Sequence, residues 1–113
     1  MAGCIFCKIE SGEIKAKIVY EDETVIAFED INPKAPVHIL IIPREHIERV
    51  SDIDKDGGVT GKLIFVATRL ARERGIESSG YRLIINCNKD AGQEVPHLHL
   101  HLMGGRKFTW PPG

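Results

Sequence analysis

Three histidines alternate with three leucines in His97-Leu-His-Leu-His-Leu-Met103. In an extended chain a period of two sends His97, His99 and His101 to one face and Leu98, Leu100 and Leu102 to the other. Imidazole is substantially neutral near pH 7, nucleophilic and able to pass a proton. A row of three therefore suits nucleophilic or acid–base chemistry, with the middle ring acting and its neighbours shaping its field. A hydrolytic three-histidine zinc site is the second reading. Geometry counts against it, because residues two apart in a strand rise about 6.7 Å and His97 and His101 start about 13 Å apart. Ligand nitrogens must each lie about 2 Å from one ion. The third reading is an amphipathic edge strand whose polar face happens to be histidine.

A second group sits near the beginning. Cys4 and Cys7 are three apart on a predicted helical turn, so both thiols can face one point. A redox pair would exploit thiolate stabilisation near a helix N-terminus. A zinc site would need two further ligands, and two histidines would complete a Cys₂His₂ tetrahedron. No βαβ context surrounds the pair, which weakens a thioredoxin-like reading. Cys87 reads as a small buried residue.

The elements that must position these groups follow from pattern. Cys4 to Glu10 reads as one or two helical turns closed by Ser11-Gly12. Lys17 to Glu21 and Thr24 to Glu29 read as strands joined at Asp22-Glu23, a short acidic turn expected to be solvated. Pro33 and Pro36 hold an extended loop. His38-Ile-Leu-Ile-Ile-Pro43 has the composition of a central strand buried on both faces. Ser51 to Gly58 reads as a loop with one helical turn. Val59, Leu63, Val66 and Leu70 define an amphipathic helix to Arg74, with Lys62, Arg69 and Arg72 on its wet side and Gly75 as its stop. Tyr81 to Asn86 and His97 to Met103 are further strands, with a polar turn from Asn88 to Glu94 between them. The segment Gly57-Gly58-x-x-Gly61-Lys62-Leu63 is not a phosphate loop, because Asp56 stands at the required glycine and Leu63 at the Ser or Thr.

Composition bounds the rest. At 113 residues the chain fits one domain, spanning residues 1–113, and at 42% apolar and 27% charged it is ordinary for a globular protein. A net charge of −1 offers no basic face for nucleic acid. Apolar runs of five or six residues are too short to span a membrane. Met-Ala-Gly-Cys has neither the charged nor the apolar region of a secretory signal. The odd cysteine count speaks against a disulfide framework, so a cytoplasmic protein is expected.

The histidine segment closely resembles the His-φ-His-φ-His-φ-φ signature of the histidine-triad superfamily, where φ is an apolar residue. Phe28-Glu-Asp-Ile-Asn-Pro-Lys-Ala-Pro-Val-His-Ile-Leu-Ile-Ile-Pro43 resembles that family's central segment. Asn86, Gly92-Gln93 and Gly104-Gly105-Arg106 to Trp110-Pro111-Pro112-Gly113 resemble its Hint branch, the histidine-triad nucleotide-binding proteins. The resemblance implies an α+β fold: a five-stranded antiparallel sheet with one main helix, doubled by a two-fold homodimer into a continuous sheet. It implies hydrolysis of purine nucleoside 5′-phosphoramidates to the monophosphate through a nucleotidyl-histidine. Dinucleoside polyphosphate hydrolysis and a non-catalytic AMP-binding or scaffold role are the alternatives. The His101 position is glutamine in the transferase branch, and the polyphosphate branch lacks the Trp110-Pro-Pro-Gly tail.

By match to the family, His99 is the nucleophile, with His97, His101 and His38 around it supplying hydrogen bonds, orientation and a proton for the amine. Asn86 is the amide donor, and the backbone around Glu94-Val95 the phosphate loop. Asp30 accepts from the ribose hydroxyls, while Ile5, Phe6, Ile9, Phe28 and Ile31 form the base pocket. Glu94 departs from the pattern, since animal members carry a serine there that touches phosphate. A carboxylate so placed would repel phosphate, so Glu94 is expected to point away or to act on the amine. Bacterial members resemble this chain in a zinc site that would here be Cys4, Cys7, His46 and His97. Animal members lack the cysteines, which makes such a zinc structural.

Overall fold

A computed structural model describes residues 3–53 and 58–113. Five antiparallel strands form one sheet in the order β1-β2-β3-β5-β4: β1 (Ile18–Glu21), β2 (Val25–Glu29), β3 (Val37–Pro43), β4 (Tyr81–Ile84) and β5 (Leu100–Gly104). Helix α1 (Ile5–Glu10) lies on one face and α2 (Gly58–Glu73) on the other, with a short α3 (Asn88–Ala91) before β5. The expected α+β architecture with one long helix is what the chain adopts.

The alternation within β3 sorts the two faces. Ile39 and Ile41 join Leu98, Leu100 and Leu102 in a core sealed by Leu63, Val66, Ala67, Leu70 and Ala71 of α2. Those five helix positions follow the spacing of a single apolar stripe. Leu40 and Ile42 turn the other way, packing with Ile26, Phe28, Phe6 and Ile9 beneath α1. Register places Leu40 opposite His101 and His38 opposite Met103, so His38 and His101 share the α1 face as diagonal neighbours.

Turns hold these layers. The acidic turn is not merely solvated. Asp22 accepts from the Thr24 and Val25 N–H groups, the Tyr20 hydroxyl and Lys62 Nζ, tying the β1–β2 turn to α2. The Lys62 ammonium, foremost among these partners, holds the Asp22 carboxyl well below the usual carboxylate range. Lys62 is thus a tether and not only a wet-side residue. Helix α2 ends one residue early, at Glu73, and Gly75 follows at φ +73°, the left-handed conformation of a helix stop.

Four strands are shorter than the pattern predicts, β1 and β2 by one residue each and β4 and β5 by two. β4 stops at Ile84, not Asn86, and β5 begins at Leu100, not His97. Ahead of β5 the chain bonds elsewhere: the Leu98 N–H donates to the Ile47 carbonyl and the His97 N–H to the Val95 carbonyl. Part of the polar turn from Asn88 to Glu94 is helical, capped by Gly92 at φ +82°. The expected turn of helix in Ser51 to Gly58 occurs as a 3₁₀ turn at Val50–Asp52, and residues 54–57 lie outside the described residues. Cys87 is half-buried, not buried, with its thiol 3.2 Å from the Ser51 hydroxyl.

Candidate active site and metal centre

The three triad histidines do not share one environment. His97 is fully buried, with its ring turned towards α1 and the thiols. His99 and His101 line a cavity of about 260 Å³ whose walls also include Phe6, Asn86, Glu94 and Val95. His38 stands behind His101, outside that cavity, with its Nε2 3.0 Å from His101 Nδ1.

The hydrogen bonds fix which nitrogen of each ring carries the proton. Nε2 of His97 lies 2.9 Å from the Pro43 carbonyl, which can only accept, so Nε2 holds the proton and Nδ1 keeps its lone pair. Nδ1 of His99 lies 2.7 Å from the His97 carbonyl, so Nδ1–H donates and Nε2 is left as a free lone pair. The Lys34 N–H donates to Nδ1 of His38 at 3.0 Å, which puts the His38 proton on Nε2. That proton reaches His101 Nδ1, with Asp30 Oδ2 3.4 Å from the same Nε2. Neutral His101 therefore carries its proton on Nε2. One imidazole presents a lone pair and another an N–H, and their ring centroids are 5.0 Å apart.

Burial keeps all four rings neutral. It lowers the pKa of His97, His99 and His38 below the ordinary histidine value, against the opposing pull of the Pro43 carbonyl, the His97 carbonyl and the Asp30 carboxylate respectively. In His101 burial acts together with the neighbouring His99 and His38 and takes the value to about 4. A neutral His99 is the form that can attack an electrophile.

The surrounding segments are placed by backbone bonds. Asp30 Oδ1 accepts from the Asn32 N–H at 2.8 Å, and the Asp30 N–H donates to the His38 carbonyl. Oδ1 is thus engaged, while Oδ2, 3.4 Å from His38 Nε2, keeps its lone pairs. Gln93 anchors the other wall: its side chain donates to the Glu48 and Val95 carbonyls and accepts from the Asn88 N–H. The Val95 N–H makes no hydrogen bond within the described residues and lies at the cavity wall. Glu94 is exposed and borders both this cavity and an adjoining cleft beside Asn88 and Gln93, and its negative charge favours the protonated form of His99.

Of the expected base-pocket residues, Phe6, Ile9 and Phe28 are buried, while Ile5 is 47% and Ile31 100% exposed. Ile5, Ile9, Phe28 and Ile31 line an apolar cleft of about 540 Å³ that shares Ile5, Ile9, Asp30 and Ile31 with the cavity of His99 and His101. A fully exposed isoleucine beside an apolar cleft marks a surface suited to a flat apolar ligand.

The four expected metal ligands are brought together. Cys4, Cys7, His46 and His97 bring their ligand atoms within 4.8 Å of one another. Cys4 Sγ is 3.3 Å and Cys7 Sγ 3.6 Å from His97 Nδ1, and Cys7 Sγ is 3.1 Å from His46 Nδ1. A tetrahedral zinc with ordinary bond lengths spaces its sulfur and nitrogen ligands about 3.5 Å apart. Burial, and then the adjacent Cys4 thiol, push the Cys7 thiol up, so a divalent cation is what would draw thiolates there. The His97 lone pair on Nδ1 already points at the thiols, so the residues fit a zinc ion. Asp30, His38 and His101 also cluster within 4.8 Å. They do not fit a metal, because the Lys34 N–H fixes the His38 proton on the nitrogen that would have to bind it.

Several functional groups carried no sequence signal. The carbonyls of Pro43 and His97 and the N–H of Lys34 orient three imidazoles, yet every residue has such groups. Leu40 also lines the cavity, and only its place in the β3 alternation could have suggested it.

The HIT domain family matches residues 11–108. The purine nucleoside phosphoramidase of Escherichia coli (strain K12) is 50% identical over 103 residues, covering 90% of this chain and 87% of that protein. A HIT-like protein of Synechocystis is 47% identical, covering 96% of each chain. Among solved structures, a HIT family hydrolase from Legionella pneumophila superposes with a TM-score of 0.95 at 49% identity, covering 98% of this chain and all of that one. A histidine-triad nucleotide-binding protein from Candida albicans superposes with a TM-score of 0.83 at 31% identity, covering 96% and 83%. The chain belongs to the HIT domain family.

Proposed function

We propose that this protein hydrolyses purine nucleoside 5′-phosphoramidates to the nucleoside monophosphate and a free amine through a nucleotidyl-His99 intermediate. The observation that carries the reading is the His99 ring: a neutral imidazole whose Nδ1–H is held by the His97 carbonyl and whose Nε2 is free in the cavity. The 50% identity to a purine nucleoside phosphoramidase supports the same class of reaction.

In the first half-reaction His99 Nε2 attacks the α-phosphorus, a P–N bond to His99 forms, and the P–N bond to the amine breaks. His101, whose Nδ1 faces His38, presents Nε2 to the cavity and gives the departing nitrogen its proton. The substrate's negative charge beside His101 favours the protonated ring that the empty pocket disfavours. In the second half-reaction water attacks phosphorus, its proton goes to His101, and His99 is freed as the monophosphate forms. His97 supplies no proton, since its Nε2–H is spent on Pro43 and its Nδ1 faces the thiols. Asn86 and the unpartnered Val95 N–H suit the non-bridging oxygens, where charge is greatest. The cleft of Ile5, Ile9, Phe28 and Ile31, with Phe6 beside it, receives the base, and Asp30 the ribose hydroxyls. Zinc held by Cys4, Cys7, His46 and His97 would contribute folding energy.

Two further features belong to this reading. A homodimer with a continuous sheet is supported by the free edge of β4 and by Ile64 and Phe65, which α2 exposes at 42% and 57%. Three free thiols suit a cytoplasmic setting. Measuring kcat/KM on adenosine 5′-phosphoramidate beside a diadenosine polyphosphate tests the substrate class. The phosphoramidate should be preferred by at least tenfold, and the reverse preference would sink the proposal.

A further inference from the structure

Helix α1 is the wall between the metal centre and the nucleotide cavity. One side carries Cys4 and Cys7, 3.1–3.6 Å from the imidazoles of His46 and His97. The other carries Ile5, Phe6 and Ile9, which line the catalytic cavity. Phe6 touches both sites edge-on, with its ring centroid 6.0 Å from that of His97 and 5.1 Å from that of His99.

Six residues are too few for a helix to hold itself. Beyond its own turns, α1 is tied down by the thiol–imidazole cluster, by the Glu10–Arg44 ion pair, and by Phe6 and Ile9 packing on Ile26, Phe28, Leu40 and Ile42. It takes no part in the larger core beneath α2. Its position is therefore open to whatever fills the sites on its two sides. A second link runs through His97, whose ring is a ligand and whose carbonyl orients His99.

We propose that zinc at Cys4, Cys7, His46 and His97 and a nucleotide in the neighbouring cavity bind cooperatively, each favouring the same placement of α1 and of the His97 backbone. The metal then sets nucleotide affinity without touching the nucleotide. This rests on the nucleotide and zinc readings above. Its thermodynamic mark is reciprocity: whatever factor zinc adds to nucleotide affinity, nucleotide adds to zinc affinity.

The test uses the full chain, zinc-loaded and metal-free. AMP affinity is measured by calorimetry in both states. Zinc affinity is measured against a competing chelator with and without saturating AMP. Amide exchange of β2, β3 and β5 is followed in parallel. The expected result is AMP affinity at least about fivefold weaker without metal, the same factor in zinc affinity, and a sheet that stays protected while α1 loses protection. Cys7→Ser, which removes a ligand without a chelator, should weaken AMP to a similar degree. Affinities independent of one another overturn the coupling alone. A sheet that unfolds with the metal also overturns it, since the metal would then act on the whole fold. A chain that binds no zinc, or no AMP in either state, contradicts the reading of that site and the coupling with it.

Discussion

The carbonyl oxygen of His97 stands 2.7 Å from Nδ1 of His99, while the His97 ring points the other way, to within 3.3 Å of the Cys4 thiol. Two neighbours in the alternating run thus divide the work between main chain and side chain. His97 orients the His99 ring through its backbone and turns its imidazole to the thiols.

In the proposed mechanism His38, 3.0 Å behind His101, is a positioning residue. Replacing it with alanine removes the partner that fixes His101, and kcat should fall by roughly 10²-fold with KM changed little. Steady-state kinetics with adenosine 5′-phosphoramidate checks the split. An effect confined to KM would place His38 in binding instead.

Acid should destabilise the chain through its buried histidines. For His101 the folded value is about 4, below the ordinary 6.5 of an unfolded histidine. Between those values the unfolded state binds the proton first, so stability falls as pH drops from about 6.5 towards 4, by at most about 3 kcal/mol from this residue. Above pH 6.5 neither state is protonated and the contribution is flat. Urea unfolding at pH 7 and pH 5 should show the loss, and His101→Asn should reduce it.

Asp22 titrates in the opposite sense. Its carboxyl is held well below the ordinary value by Lys62 and its other partners, so its stabilisation is complete above about pH 4 and is lost as pH falls further. Asp22→Ala frees two N–H groups, a hydroxyl and an ammonium, and should cost about 1–2 kcal/mol at pH 7. Denaturant melts of the variant and its parent give the difference. Equal stabilities would show that water replaces the carboxylate without loss.

The strand alternation, the apolar stripe of α2 and the Cys-x-x-Cys turn were legible because each is a local period set by backbone geometry. Cys4, Cys7, His46 and His97 do meet, though the reading that joined His46 to the thiols came from resemblance and not from spacing. What pattern missed is non-local. The start of β5 depends on where Leu98 finds its acceptor, at Ile47. The proton on each imidazole depends on backbone groups of Pro43, His97 and Lys34, to which no residue type points. Cys87 looked like core because thiols usually are, yet it lies at the half-buried foot of α3 beside Ser51.

The proposed nucleotidyl-His99 intermediate, whose P–N bond is labile in acid and survives in base, can be sought directly with an alkaline denaturing quench. Zinc-loaded protein mixed with excess adenosine 5′-phosphoramidate labelled at phosphorus, quenched within milliseconds and digested, should yield label on the peptide containing His99. His99→Ala should carry none and should lose turnover by at least about 10³-fold while still binding AMP. Label on His97 or His101, or undiminished turnover by His99→Ala, would contradict nucleophilic attack by His99.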